Sequence, residues 1–468
     1  MNAKHELNAR EARAPGPPGL FGVRNIVRFA NSQVDLLREL VDRYGDVVEM
    51  KLLGRSCWLI SHPDDIETIV VKNARIMGRD AYTDVLKRAL GLGLLTSDGE
   101  LWKRQRRLMS QAFTPKRIAG YGAAMVEVTD RGLAPLSDGE TVNLHQEMSR
   151  ITMEVAAEVL FGTSVSPEDV ATVRESMETI NEFFANSPEA VFRLKPWVPT
   201  PRNLRMNAAV KEIDQLIYRI IARRRAGEQR DDLLGTLLAA LDDEGTGMTD
   251  AQLRDESITL FLAGHETTAL ALAHTFYLLS KHPQVERRLY EELSSVLGGG
   301  LPTADDVRRL PYTERVIKES MRLYPPAWTI GREAMEPIEI GGYTIPKGAQ
   351  ILCSQWVVHR DPRFFPNPEG FDPDRWAPER QSALPRFAYF PFGGGPRVCI
   401  GNHFAMLEAS LILATIAQRF RFELLPGERL ELKPSVTLRQ RGPGLRVRVR
   451  ERPRDAVTSE TPREHAAL

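Results

Sequence analysis

One cysteine, Cys399, sits in the stretch PFGGGPRVCIGNHFAMLE at residues 391–408, with Gly393, Gly394 and Gly395 before it and Gly401 after it. Glycines let a backbone approach a bulky planar group and turn its N–H groups inward. Such N–H groups, together with the N-terminus of a helix starting near Asn402, stabilise a thiolate and lower its pKa. Arg397, two residues before the cysteine, asks for an anion nearby. Haem iron held by a thiolate, with a propionate facing the arginine, accounts for each feature. A glycine-rich turn around an ordinary buried cysteine is the plainer alternative.

A second set of polar residues interrupts a long apolar helix. Thr249 and Gln252 form a capping box, and His282-Pro283 closes the far end. At 1.5 Å per residue the helix spans about 48 Å, enough to cross a domain. Its middle, residues 258–273, is apolar nearly all round, as in a helix buried through a core. Yet Gly264, His265, Glu266, Thr267 and Thr268 fall there. Polar groups in a buried helix are costly unless paired or facing a cavity, so this point should border something polar.

The rest of the chain must position these two sets. It has 468 residues, 26% charged and 42% hydrophobic, the balance of a soluble globular protein. Lys+Arg and Asp+Glu are equal at 62 each, so no global field favours nucleic acid or an anionic membrane. No window supplies the roughly 20 apolar residues of a membrane helix, and the polar N-terminus is not a signal peptide. Three scattered cysteines exclude a disulfide framework or a paired-cysteine zinc site, which points to a reduced, cytoplasmic setting. Residues 1–19 read as a Pro/Gly-rich lead-in, 20–451 as one domain, and 452–468 as a disordered tail. Within the domain, 34–44 reads as an amphipathic helix and 47–63 as a β-hairpin around Leu53-Gly54-Arg55. Residues 100–325 are mostly helical, broken at 194–203 by prolines. Short strands dominate from 335, with one helix returning over 403–419. The fold class is mainly α with small β-sheets, an α+β arrangement.

Phe392-x-x-Gly395-x-Arg397-x-Cys399-x-Gly401 resembles the haem-binding signature of the cytochrome P450 family at each defining position. Ala263-Gly264-His265-Glu266-Thr267-Thr268 resembles the oxygen-activating kink of that family's central helix. Glu319-x-x-Arg322 resembles its E-x-x-R helix, and FDPDRW at 371–376 the segment that brings Arg375 to that pair. Trp102-x-x-x-Arg106 resembles the motif that reaches a haem propionate. These matches keep the family's order and span residues 99–408. An isolated E-x-x-R means little, since any helix can carry such a pair; the ordered set is specific.

The resemblance implies a P450 fold with a long central helix over haem b (iron protoporphyrin IX), Cys399 as the axial thiolate and metal ligand, and O2 as co-substrate. Phe392 would shield the sulfur. Glu266 and Thr267 match the family's acid–alcohol pair, with a Thr hydroxyl bonded to its own i−4 carbonyl as the bland alternative. His265 and Thr268 are weaker candidates. Glu319, Arg322 and Arg375 would hold the cysteine loop, and Trp102, Arg106, Arg332 and Arg397 would meet propionates. The basic run KRQRR at 103–107 falls on the side where acidic redox partners dock.

No fused reductase fits in the fewer than about 70 residues after the haem segment. Electrons are therefore expected from NAD(P)H through a separate reductase and a ferredoxin or flavodoxin. The pocket is expected to be walled by the loop at 76–95, Phe261 and Ala263, Ala327, Trp328 and Thr329, and Val436 and Thr437. That wall suits a lipophilic fatty acid, terpenoid or steroid-like molecule. Arg55 reads as a plain turn arginine rather than a carboxylate anchor. The expected protein is a monomeric monooxygenase with no nucleic-acid partner and no membrane anchor. A peroxygenase of the same fold, or a non-catalytic haem sensor or carrier, is the competing class; neither needs the Glu266-Thr267 pair.

Overall fold

A computed structural model describes residues 13–18, 28, 32–52, 54–162, 167–186, 195–228, 230, 232–442 and 444–452. The expected tail lies outside the described residues from 453 onward, as do most of residues 1–31 and Leu53. Arg452 is not part of a loose tail: its backbone N–H donates to the Arg419 carbonyl at 2.7 Å and its guanidinium to that of Ala417. Residues 13–18 of the Pro/Gly-rich lead-in lie against the domain, with Glu49 N–H donating to the Pro15 carbonyl at 2.9 Å.

Chain order begins with α1 (Gln33–Tyr44), β1 (Val47–Leu52) and β2 (Arg55–Ile60), then a π-helical turn (Thr68–Lys72) and β3 (Met77–Gly78). The expected hairpin forms, pairing Val47 with Ile60 through Leu52 with Arg55. The helical half follows: α2 (Ala81–Leu90), α3 (Gly99–Ser110), α4 (Pro115–Gly132), β4 (Thr141–Asn143), α5 (Leu144–Phe161), α6 (Pro167–Asn186) and α7 (Pro201–Arg225). Then come α8 (Asp250–Lys281), α9 (Pro283–Leu297) and α10 (Pro311–Leu323). The last part holds β5 (Ile330–Ala334), β6 (Ile338–Ile340), β7 (Tyr343–Ile345), β8 (Gln350–Cys353), α11 (Asn402–Arg419), β9 (Phe420–Leu424), β10 (Leu432–Pro434), β11 (Leu438–Gln440) and β12 (Arg446–Glu451).

Local chemistry explains where the site-bearing helices start. Thr249 and Gln252 cap α8 reciprocally, as their spacing predicts. The Asp80 carboxylate accepts the Tyr82 and Thr83 N–H groups at the start of α2. Prolines that break the chain before residue 200 become helix starters at Pro201, whose missing N–H is no loss in the first turn. At the start of α10, the Glu292 carboxylate from α9 accepts the N–H groups of Tyr312 and Thr313 at 2.7 and 2.8 Å.

The main core gathers α4, α5, α8, α10 and α11. A second core lies on the five-stranded sheet, ordered β1-β2-β8-β5-β3, with β2 and β8 parallel and the other pairs antiparallel. The pairing of β3 with β5 sets Gly78 opposite Glu333, so the residues just after β3 lie beside Arg332. The sheet β4-β12-β9 and the hairpins β6-β7 and β10-β11 complete the fold. No described helix is long and apolar enough to cross a membrane.

Candidate active site

Cys399 precedes α11 in a loop fixed from both sides. Its N–H donates to the Phe392 carbonyl at 3.0 Å, and the Gly401 N–H donates to its sulfur. Phe392 is half-buried against the main core. The thiol is solvent-accessible although protein surrounds it densely, which is the situation of a group on the wall of an interior cavity. Burial pushes its pKa up and outweighs the Gly401 N–H and the nearby Arg106 guanidinium, so the lowering expected from the loop N–H groups does not prevail in the protein alone. No cluster of three His, Cys, Asp or Glu side chains suited to a metal occurs among the described residues.

Two of the loop glycines have a reason within the protein itself. Gly395 has φ +66°, and a Cβ there would lie 1.9 Å from the Val70 carbonyl oxygen in the π-helical turn. A Cβ on Gly394 would strike the Phe387 ring. These glycines let the loop seat on its own protein. Gly401, with φ −92°, has room for a Cβ, the nearest atom being 3.7 Å away on Phe113.

Three arginines crowd the same region. Arg397 donates to the Ser97 carbonyl at 3.2 Å, pairs with Asp98 and lies 4.3 Å over the Trp102 ring. Arg332 is buried and donates to the Gly331 carbonyl at 2.7 Å. Arg79 was not foreseen from the sequence. It donates to the Leu94 carbonyl at 2.9 Å, yet its Nε is buried without a partner. Burial, then Arg397, then Arg332 pull its pKa down to about 9. Such a cluster is short of negative charge and fits a group carrying carboxylates. Arg106 is half-buried, makes no hydrogen bond or ion pair among the described residues, and senses Cys399. No signal in Gly78-Arg79-Asp80 marks Arg79, because only the β3–β5 pairing carries it to Arg332.

On α8 the open positions form one stripe. Ala263 is exposed in the middle of an otherwise buried helix, and Leu260, Gly264 and Thr267 are half-open, at i, i+3, i+4 and i+7. A Cβ built on Gly264 meets nothing within 4 Å. The helix runs through this point without interruption. The Thr267 hydroxyl donates to the Ala263 carbonyl at 2.7 Å, so it is back-bonded and faces the open side at once. Thr268 donates to the Gly264 carbonyl at 2.9 Å and to the Glu408 carboxyl of α11 at 3.0 Å. Glu408, missed from sequence, is fully buried, which raises its pKa to about 8.

Glu266 does not share the stripe. It is 4% exposed, and Arg439 of β11 donates to it at 2.6 Å, with the Thr437 hydroxyl at 3.4 Å. Burial raises its pKa, but Arg439, His265 and His145 outweigh this and hold it below the usual carboxylate range. His265 faces away from the open side: it is buried, bonded to the Phe261 carbonyl at 3.1 Å and 3.9 Å from the Glu266 carboxylate.

Glu319, Arg322 and Arg375 come together as expected from their motifs. Arg322 donates to both Glu319 oxygens at 2.8 and 2.9 Å, and Arg375 donates at 3.1 Å. The Trp376 indole and the Asp372 N–H complete the carboxylate's partners. Arg322 also binds the carbonyls of His359, Pro368 and Gly370, and so ties down the chain that leads to the cysteine loop.

Several expected pocket residues are elsewhere. Phe261 is 3% exposed and stacks on Phe161, because it falls off the α8 stripe; Leu260 takes its place. Trp328 is buried in a core with Leu37 and Leu40, and its indole donates to the Ser435 carbonyl at 2.9 Å. Ala327, Thr329 and Val436 are half-open, whereas Thr437 is nearly covered by its contact with Glu266. From the 76–95 stretch, Tyr82, Leu92 and Leu95 remain accessible. Arg55 is exposed on its hairpin. The basic run is compensated: Lys103 meets Glu100, Arg104 meets Asp242, and Arg107 meets Asp243, while Gln105 is buried.

Comparison with known proteins agrees with this geometry. The sequence pattern of the family described as Cytochrome P450 matches residues 14–445. The chain is 38% identical over 433 residues to the cyclooctatin synthase of Streptomyces melanosporofaciens, covering 92% of this chain and 94% of that protein. It is 37% identical to the cyclooctat-9-en-7-ol 5-monooxygenase of the same organism, covering 83% and 84%. The pentalenene oxygenase of Streptomyces avermitilis is 35% identical, covering 82% and 85%. Among solved structures, the haem domain of cytochrome P450DA matches with a TM-score of 0.84 at 28% identity, covering 95% of this chain and 98% of that one. A cyanobacterial CYP120A1 with retinoic acid bound matches at 0.83 and 28%, covering 94% and 100%. The chain belongs to the cytochrome P450 family and is a monooxygenase of it.

Proposed function

We propose that this enzyme inserts one oxygen atom from O2 into a cyclic terpenoid, with electrons from NAD(P)H passing through a separate reductase and a ferredoxin or flavodoxin. The observation that carries the substrate class is the α8 stripe: Leu260, Ala263, Gly264 and Thr267 offer a bulky molecule an apolar surface with one hydroxyl and no charge. Relatives named for cyclooctat-9-en-7-ol and pentalenene act on compact, polycyclic, nearly apolar molecules of that description.

Haem b fits the residues present: the Cys399 sulfur would bind its iron, and Arg397, Arg332, Arg79, Arg106 and Trp102 would receive its carboxylates. When bound, it supplies the activation of dioxygen. The chain's own part is then positional and protic. Ala263 and Gly264 leave the space over which substrate and oxygen meet, and Thr267 presents a hydroxyl to it. Glu266 is the acid one residue away. While Arg439 holds it, it is a buried anion, so taking part in proton transfer requires it to turn from Arg439. Glu319 with Arg322 and Arg375 keeps the thiolate loop in place and has no contact with substrate.

Purified enzyme with surrogate ferredoxin and reductase should convert a polycyclic terpene to a mono-oxygenated product. Spin-state titration should rank polycyclic terpenoids above fatty acids of equal carbon number. Tighter binding of the fatty acids would reverse the assignment of substrate class.

A further inference from the structure

Besides the Thr267 hydroxyl, a second uncharged polar side chain is accessible close to the expected pocket residues. Tyr82, in the first turn of α2, is 44% accessible, yet the protein around it pushes its phenol up to about 12. An accessible side chain amid dense protein belongs to a cavity wall. Its hydroxyl faces the side chain of Ser435, which precedes Val436 and Thr437 in the turn between β10 and β11. Neither hydroxyl has another hydrogen-bond partner among the described residues. Both backbones are fixed: Asp80 caps α2 through the Tyr82 N–H at 3.0 Å, and the Ser435 carbonyl accepts the Trp328 indole.

We infer that Tyr82 and Ser435 form the polar end of the substrate pocket and bind a neutral hydroxyl group already present on the terpenoid. This rests on the terpenoid reading above and narrows it to substrates oxygenated once before they arrive. The chemistry of the pair selects an alcohol. Two hydroxyls can donate to and accept from a third, satisfying a group that an apolar wall would strand. A carboxylate is disfavoured, because the Asp80 carboxylate lies close to Tyr82 and no guanidinium pairs with either hydroxyl. Arg439, on the next strand of the same hairpin, is already paired with Glu266. The reaction that supplies this substrate must therefore be an earlier hydroxylation of the ring system, or a cyclisation ended by water.

The test compares cyclooctat-9-en-7-ol with the same ring system lacking the hydroxyl, both titrated into the ferric holoenzyme and followed by spin-state shift and by calorimetry. The wild type is expected to bind the alcohol more tightly. Tyr82→Phe and Ser435→Ala should each weaken alcohol binding roughly three- to tenfold and leave hydrocarbon binding unchanged. Equal binding of both compounds to the wild type, or equal loss of both in the variants, overturns the hydroxyl site while leaving the terpenoid reading intact. A wild type that binds neither terpenoid but responds to fatty acids overturns the terpenoid reading and this inference together.

Discussion

Glu319 on α10 and Glu408 on α11 are the same residue at the same depth, 0% and 1% exposed, on adjoining helices of one core. Their surroundings differ completely. Glu319 is met by two guanidiniums, an indole and a backbone N–H. Glu408 receives one hydroxyl, from Thr268, and burial raises its pKa to about 8. The first is the partner of two guanidiniums and organises a loop. The second is pushed toward its neutral form by burial. Burial alone therefore says nothing about a carboxyl group's role; the donors around it do.

The largest effect should come from the paired acid. Glu319→Ala leaves Arg322 and Arg375 buried without their counter-ion, which destabilises by roughly 3–5 kcal/mol. Urea unfolding should show this loss together with weakened haem retention. A variant as stable as wild type would remove the distinction between the two carboxyls.

The neutral acids should act through pH. Glu256, also fully buried, accepts the Leu94 N–H at 2.9 Å while its other oxygen has no partner, and burial raises its pKa to about 8. A carboxyl whose folded pKa lies above its unfolded one contributes nothing at low pH, where both states are protonated. As pH rises past the ordinary value of about 4.3, the unfolded chain gives up the proton first, and stability falls until about pH 8. Glu408→Gln and Glu256→Gln should each flatten that decline, gaining on the order of a few kcal/mol at pH 8 and little at pH 4. Denaturation midpoints measured across pH 4–9 would read the difference. An unchanged slope would mean that the carboxyls ionise freely where they are.

How far the sequence reveals these roles depends on how local each one is. Cys399, the α8 capping box and the Glu319–Arg322 pair are set by neighbours a few positions away, so their spacing carries them. Arg79, Glu408 and the Glu266–Arg439 pair depend on segments 140 to 250 residues apart meeting in space, and no local pattern encodes that. Phe261 and Trp328 depart from expectation for a related reason: an aromatic next to a motif reads as pocket, but helix phase turns Phe261 into the core. The glycine-rich loop is visible as a motif, but the clash that Gly395 avoids, with Val70 of a distant turn, is not encoded next to it.

Glu266 lies between the two extremes of the comparison. Its single strong partner, Arg439, is 22% accessible, so the pair is partly screened. Arg439→Gln should destabilise by about 2 kcal/mol and loosen the β10–β11 hairpin, seen as faster hydrogen exchange over residues 432–440. Because Arg439 holds the Glu266 pKa down, its contribution is present at neutral pH and lost as pH falls through the depressed value. The deficit of the variant should accordingly shrink in acid. A deficit independent of pH would assign Arg439 to packing alone.

The smallest effect on stability belongs to Thr267, and it separates architecture from chemistry most cleanly. Among the described residues its hydroxyl bonds only to the carbonyl of Ala263, an interaction that slightly disfavours a helix, and alanine is the better helix former. Thr267→Ala should therefore fold and retain haem within about 0.5 kcal/mol of wild type. What it removes is the hydroxyl facing the open side of α8. If that hydroxyl guides protons during turnover, NAD(P)H consumption should continue while product falls and peroxide rises; Thr267→Ser, which keeps the hydroxyl, should restore the ratio. Glu319→Ala should give the opposite pattern, with less folded enzyme but unchanged product per electron in what remains. Equal coupling in Thr267→Ala and wild type would leave the hydroxyl with its back-bond and nothing more.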